Sequence, residues 1–182
     1  MIRAVVLVIA LILLTVSVFA QAPQVNPIPP QEIPSRFAPF VGVWNLISCS
    51  DDPKKNSPSA YQLQLSITGT TIDINEPYYF GDNGLVFHPN HHYVLISFSQ
   101  LEDKSGGVIF DNLYFKEGGT IPAGVAPWRM SLTPRAPGLF GRFAQRGEPA
   151  NTSTLFGYFV GTAPAPIPDD FITTHRSVCS KD

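Results

Sequence analysis

Charged residues are scarce in this chain of 182 residues. Asp, Glu, Lys and Arg make up 14% of the sequence, against about 25% in an average soluble domain. The formal net charge is −2, which excludes the basic surface that nucleic-acid binding requires. Hydrophobic residues nevertheless make up 44%, so the chain is not of the weakly hydrophobic, highly charged type that stays disordered. We therefore expect one globular domain without a nucleic-acid partner.

Amphipathic helical patterns are also missing. No stretch of helical length combines an apolar stripe of 3.6-residue period with capping residues, which excludes a coiled coil or a helical bundle. The 14 glycines and 18 prolines instead favour a chain rich in turns.

What the sequence does contain is alternation of period two. Tyr61, Leu63, Leu65 and Ile67 alternate with polar residues, which predicts a strand with one apolar face. A turn at Gly69 makes residues 61–75 a predicted hairpin. Further predicted strands cover residues 41–49, 92–99, 108–115, 128–132, 139–145, 154–162 and 171–179. Short strands of this number predict an all-β fold, an antiparallel up-and-down β-barrel of about 8–10 strands, with a β-sandwich as the alternative.

The first twenty residues have a different character. Arg3 precedes an apolar run that ends in small residues before Gln21, which predicts a cleaved secretory signal peptide at 1–20. The alternative is an uncleaved anchor, but the run is shorter than the ~20 residues that span a membrane. Residues 21–39 form a predicted Pro-rich leader, extended or disordered, and residues 40–182 the β-barrel domain. We expect a secreted protein that is not membrane-integral after cleavage and is monomeric.

The cysteine count is only two. Export to an oxidising compartment predicts a disulfide between Cys49 and Cys179, which requires the start and the end of the domain to be neighbours. Two unpaired buried thiols are the alternative. Asn151 begins an Asn-Thr-Ser acceptor pattern and is a candidate glycosylation site.

One motif resembles a known family. Residues 40–46, with Phe40, Gly42, Trp44 and Leu46, match F-x-G-x-W-x-L. This motif resembles the first strand of the calycins, the superfamily of lipocalins and fatty-acid-binding proteins. The resemblance implies an antiparallel barrel in which Trp44 closes one end and Gly42 allows the chain to bend beside it.

A second similarity lies near the C-terminus. Residues 172–178 are similar to the last strand of the fatty-acid-binding branch, which implies that Arg176 meets a ligand carboxylate. The alternatives are that Arg176 faces solvent or packs across Trp44. The barrel predicts a small hydrophobic ligand such as a fatty acid or retinoid. The candidate ligand-binding residues are Leu63, Leu65, Ile96, Phe98, Phe110, Tyr114, Phe143, Phe159 and Arg176.

Catalytic patterns are absent from the sequence. His88, His91 and His92 form a cluster that, with His175 and Asp82, would suit a metal. We instead interpret the cluster as a polar loop before a strand, because ligands of a metal site usually lie on rigid, spaced positions. The sequence has no nucleophile elbow and no phosphate-binding loop. We therefore expect no enzyme, no metal and no cofactor, and we keep a secreted β-sandwich interaction or adhesion module as the alternative function.

Overall fold

Antiparallel β-strands make up most of the described chain. The computed structural model describes residues 25–52, 57–81, 83–89, 91–101, 106–116, 126–136, 138–145 and 152–180. The strands are β1 (Val25–Pro27), β2 (Gly42–Ser50), β3 (Ser59–Thr68), β4 (Thr71–Gly81), β5 (Gly84–Phe87), β6 (His92–Leu101), β7 (Val108–Lys116), β8 (Trp128–Arg135), β9 (Gly138–Gln145) and β10 (Thr152–Gly161). Two short helices are α1 (Ile33–Phe37) and α2 (Phe171–His175), and 3-10 turns cover Pro30–Glu32, Ala38–Phe40 and Arg176–Cys179. The predicted signal peptide and Asn151 lie outside the described residues.

All ten described strands belong to a single sheet. Its order is β1-β6-β7-β8-β9-β10-β2-β3-β4-β5, and β4 additionally pairs with β6 through Ile74–Tyr93 and Asn75–His92. The sheet therefore rolls until it meets itself, but this seam is only two residue pairs long. The all-β, antiparallel prediction is confirmed. A barrel closed along the full length of its strands is not formed, and the strands that are described do not divide into the two sheets of a sandwich.

The strand β2 is buried on both faces. On one face, Trp44 and Leu46 belong to the interior of the rolled sheet. On the other face, Ile47 and Cys49 pack against the segment that carries Phe171. A strand that is covered on both sides does not alternate between buried and exposed residues. Residues 42–49 are accordingly all buried.

One end of the rolled sheet is filled by side chains, and we call it the plugged end. The ring of Phe37 lies 5.8 Å from that of Phe98 and 6.0 Å from that of Phe110. Trp44 donates from Nε1 to the backbone oxygen of Phe40 at 2.8 Å. The chain from residue 25 onward is therefore part of the domain. The prediction of an extended or disordered leader is wrong for residues 30–39, which form short helical turns, because the proline-rich composition hid the apolar residues Ile33 and Phe37.

Gly42 of the F-x-G-x-W motif lies where a side chain has no room. Its φ is +135°, and a Cβ atom would lie 2.5 Å from Cε2 of Phe159 and 3.0 Å from the backbone oxygen of Gly161. Phe159 in turn contacts the indole of Trp44, with ring centroids 5.0 Å apart. Glycine here allows β2 and β10 to approach each other beside the indole.

The C-terminal segment covers the outside of the sheet. The predicted strand 171–179 is wrong, because these residues form α2 and a 3-10 turn. The helix is only five residues long, too short for apolar spacing to distinguish a period of 3.6 from a period of two. The predicted disulfide is confirmed: Cys49 and Cys179 are bonded, with Cα atoms 5.3 Å apart. Among the residues that the structure describes, none of the helices combines the length and the apolar character needed to cross a membrane.

Candidate functional site

The end of the sheet opposite Phe37 contains a cavity of about 370 Å³. At this end, which we call the open end, β2 stops and β3, β6, β8 and β10 begin. Hydroxyl groups form part of its lining: Ser48, Ser50, Ser57, Ser59, Thr152 and Ser153. Small side chains in these positions leave room that larger ones would fill, and their hydroxyls can both donate and accept hydrogen bonds.

Aromatic rings form the other part of the lining. The rings of Trp128 and Phe143 stack in parallel with centroids 4.4 Å apart, and Tyr61 and Tyr93 also border the cavity. Trp128 lies on β8 and Phe143 on β9. In the ladder between these strands, Phe143 opposes Met130, two residues along β8 from Trp128, so the two rings are diagonal neighbours on one face. Beneath these rings, Leu63, Leu113 and Met130 line a small pocket of about 10 Å³.

A carboxyl group also lines the cavity. Glu76 follows Ile72 and Ile74 on the inward face of β4, and the residue is 9% exposed. The ladder between β3 and β4 has an irregularity here: Gln64 opposes Asn75 while Gln62 opposes Tyr78. Two residues of β4, Glu76 and Pro77, therefore stand opposite Leu63 alone. Such bulges redirect side chains, and proline suits them because it has no N–H to donate.

Burial controls the protonation of Glu76. It raises the pKa of this carboxyl from 4.5 to about 7, although the hydrogen bond from the Tyr93 hydroxyl opposes the increase. That hydroxyl donates to Oε2 of Glu76 at 2.7 Å. Burial also raises the pKa of Tyr93 well above 10, and the charge of Glu76 adds to this effect. Glu76 is therefore half protonated near neutral pH, whereas Tyr93 stays neutral.

The hydroxyl of Tyr61 points into the same region. Its oxygen is buried and has no hydrogen-bond partner among the described residues. Burial raises its pKa well above 10, with a smaller contribution from Glu76. A buried hydroxyl without a partner loses its hydrogen bonds to water on folding. A ligand that offers a donor or an acceptor would restore one.

His91 lies on the other side of the carboxyl. Its Nδ1 is 3.7 Å from Oε1 of Glu76. Burial, together with the neighbouring His88 and His92, lowers the pKa of His91 from 6.5 to about 4. His91 is consequently neutral at pH 7, so its contact with Glu76 is not a pair of opposite charges at that pH.

The predicted ligand-binding residues fall in several places. Phe143 lines the cavity and Leu63 lies beneath it. Leu65, Phe98 and Phe110 are buried in the core toward the plugged end. The other positions are these: Ile96 in β6, half-buried Tyr114 in β7, Phe159 beside Trp44 with 55% exposure, and exposed Arg176 in the last 3-10 turn.

Arg176 therefore lies away from the cavity. The residues that sequence reasoning missed are Tyr61, Tyr93, Trp128 and above all Glu76. The period-two alternation of β4 contained the signal, because Glu76 continues the inward series of Ile72 and Ile74.

The histidine cluster does not form a metal site in the part of the chain that the structure describes. No group of three or more His, Cys, Asp or Glu side chains there could hold a metal ion. The ring of His88 packs against Tyr79 and His91, and His92 contacts Oδ1 of Asn75. His175 lies elsewhere, with its ring 4.0 Å from that of Tyr158. Asp82 lies outside the described residues.

Comparisons of the chain with protein-family models, with curated proteins and with solved structures find no match. The resemblance to the calycins therefore stays a prediction from residues 40–46. The properties of the site rest on its own geometry.

Proposed function

We propose that this protein binds a small, mainly apolar ligand at the open end of its rolled sheet and catalyses no reaction. The observation that supports this most directly is the cavity of about 370 Å³ beside the stacked rings of Trp128 and Phe143. Small-molecule sites are typically concave, mostly apolar, and about 300–1,000 Å³ in volume, with a few polar groups that orient the ligand. The cavity of this protein lies at the lower end of that size range, and its lining combines aromatic rings with hydroxyl groups and one carboxyl.

The depth of the cavity limits the shape of the ligand. Leu65, Phe98 and Phe110 fill the interior toward the plugged end, so an extended chain cannot pass through the sheet from end to end. A compact molecule suits the space better than a long-chain fatty acid or a retinoid. This proposal therefore keeps the predicted class of function and narrows its ligand.

Export of the protein belongs to the same proposal. The apolar segment after Arg3 is the sequence basis for it. The disulfide between Cys49 and Cys179 agrees with an oxidising compartment. In such a compartment the ligand would be an extracellular molecule that the protein carries or sequesters.

Fluorescence titration with N-phenyl-1-naphthylamine, an uncharged aromatic probe, tests the proposal. We expect saturable binding to the disulfide-bonded chain. Replacement of Ser48, a small buried residue of the cavity wall, by Phe fills the cavity and should reduce the affinity at least tenfold. The control is Ser177→Phe, because Ser177 is exposed in the last 3-10 turn and should leave binding unchanged.

Two results would contradict the proposal. One is the absence of saturable binding by a chain whose circular dichroism shows β-structure. The other is equal affinity for the probe in the two serine variants, because binding would then occur outside the cavity.

A further inference from the structure

The polar groups on the inner wall of the cavity can accept hydrogen bonds from a ligand. An ionised carboxylate has about four lone-pair positions and no donor. Tyr93 occupies one position on Oε2 of Glu76, at 2.7 Å. Nδ1 of His91 lies 3.7 Å from Oε1, beyond hydrogen-bond length. The carboxylate therefore retains the capacity to accept donors from a ligand.

Tyr61 supplies a second acceptor in the same place. Its hydroxyl oxygen is buried and unpartnered among the described residues, and the residue lines the cavity together with Glu76. Burial is the main cause of the raised pKa of Tyr61 and the charge of Glu76 adds to it, and both residues line the same cavity. A single ligand group with several N–H bonds can reach both.

The rest of the lining favours positive charge over negative charge. Trp128, Phe143, Tyr61 and Tyr93 present aromatic rings to the cavity, and the faces of such rings attract cations within about 6 Å. The described residues of the lining include no Lys or Arg. A ligand carboxylate would face Glu76 without a compensating cation, which is the costly arrangement of two like charges.

We propose that the cavity is a site for compact primary amines with an aromatic body. The ammonium group donates to Glu76 and Tyr61, and the ring of the ligand packs beside Trp128 and Phe143. This inference rests on the proposed function, because it names the chemical class of the ligand for the same cavity. It also gives the ligand a positively charged group, whereas the predicted contact of Arg176 with a ligand carboxylate implied a negatively charged one.

The inference has a pH signature. The titratable groups around Glu76 are Tyr61 on β3, Tyr93 on β6 and His91 before β6, with His88 and His92 beside His91. Glu76 is the group of the cavity lining that gains its charge as pH rises through about 7. Because apparent affinity scales with the competent fraction, amine binding should tighten about tenfold from pH 6 to pH 8.

Calorimetric titration with three matched probes tests the inference. The probes are 2-phenylethylamine, 2-phenylethanol and 3-phenylpropionate, which share a phenyl ring and differ in charge. We expect the amine to bind at least tenfold more tightly than the other two at pH 8. The unmodified chain should also show the tenfold change between pH 6 and pH 8 for the amine alone.

Variants separate the roles of the two acceptors. Glu76→Gln should abolish both the preference for the amine and its pH dependence, and Tyr61→Phe should weaken amine binding about threefold to tenfold. The matched control is Glu32→Gln, because Glu32 pairs with Arg36 on the surface beside α1 and should change neither. If Glu76→Gln fails to fold, the pH profile of the unmodified chain and the affinity of Tyr61→Phe still test whether the amine binds to these two acceptors.

The outcomes distinguish this inference from the proposed function. If 2-phenylethanol or 3-phenylpropionate binds as tightly as the amine, the inference is wrong while ligand binding stands. The same holds if amine affinity does not change between pH 6 and pH 8. If none of the three probes binds and N-phenyl-1-naphthylamine does not bind either, both the inference and the proposed function are wrong.

Discussion

Glu76 and His91 face each other at 3.7 Å, yet burial disfavours the charged form of each. It raises the pKa of Glu76 to about 7 and lowers that of His91 to about 4. Removing two ions from water can cost more than their mutual attraction returns, and here the loss of hydration dominates. The two residues therefore affect the stability of the fold in opposite directions as pH changes.

The sign of each effect follows from proton linkage. The folded protein binds the Glu76 proton more tightly than the unfolded chain does, so this group makes stability fall as pH rises from 4.5 to about 7. The unfolded chain binds the His91 proton more tightly, so this group makes stability fall as pH drops from 6.5 to about 4. Over their common range the two contributions oppose each other.

Single substitutions should reveal these hidden contributions. Relative to the unmodified chain, Glu76→Gln should gain stability as pH rises from 4.5 to 7. At about 1.4 kcal/mol per pH unit the gain is roughly 3 kcal/mol. His91→Gln should lose stability, relative to the unmodified chain, as pH rises from 4 to 6.5. Urea unfolding at pH 4.5, 5.5 and 6.5 measures both trends.

Equal pH slopes for the two variants would contradict this assignment. Surface groups contribute equally to all three proteins, and taking differences from the unmodified chain removes them.

Among single residues, those with a structural role could be predicted from the sequence more readily than those that line the cavity. Gly42 and Trp44 belong to a recognisable motif, and their crowding beside Phe159 gives a local reason for it. Glu76 belongs to no motif. Its role depends on an irregularity in pairing with β3 and on Tyr93 from β6, and contacts between distant strands cannot be read from one stretch of chain.

Among the elements, the long strands were predictable, whereas the four-residue strand β5 and the ends of the chain were not. Alternation identified β3 and the first half of β4, because each has one face toward the interior and one toward the outside. It failed for residues 171–179, where Phe171 and Val178 pack onto the outside of the sheet in a helix and a turn. Burial of those residues depends on β2, which is far away in sequence.

The disulfide between β2 and the last turn holds this outer layer in place. Its two cysteines are 130 residues apart, and a loop of this length restricts the unfolded chain strongly. We expect Cys49→Ser combined with Cys179→Ser to lower the free energy of unfolding by about 4–5 kcal/mol in the loop-entropy model. Urea unfolding of the double variant measures the loss.

Reduction of the unmodified chain with dithiothreitol is the control and should give a similar loss. Hydrogen exchange should show the Thr174 amide, which donates to Asp170, losing protection in both cases. A loss below about 1 kcal/mol, or unchanged protection at Thr174, would show that packing of Phe171 and Ile167 alone holds the segment.

At the scale of the whole molecule, the two ends of the rolled sheet have different roles. The plugged end contains phenylalanines from the N-terminal segment and from β6 and β7. The open end contains the cavity, with its carboxyl group and its aromatic rings. The sequence identified Phe98, Phe110 and Phe143 as candidates for the interior, but it could not show which half the side chains fill, because that depends on where residues 25–40 pack.

Amide chemical-shift mapping would locate amine binding on the molecule residue by residue. The isotopically labelled, disulfide-bonded chain would be titrated with 2-phenylethylamine at pH 8. We expect saturable shifts concentrated at the open end, at Ser48, Tyr61, Glu76 and Tyr93, with Phe37 and Phe110 unaffected. Shifts concentrated on the outer surface around Phe171, or no saturable shifts at all, would contradict the proposed amine site.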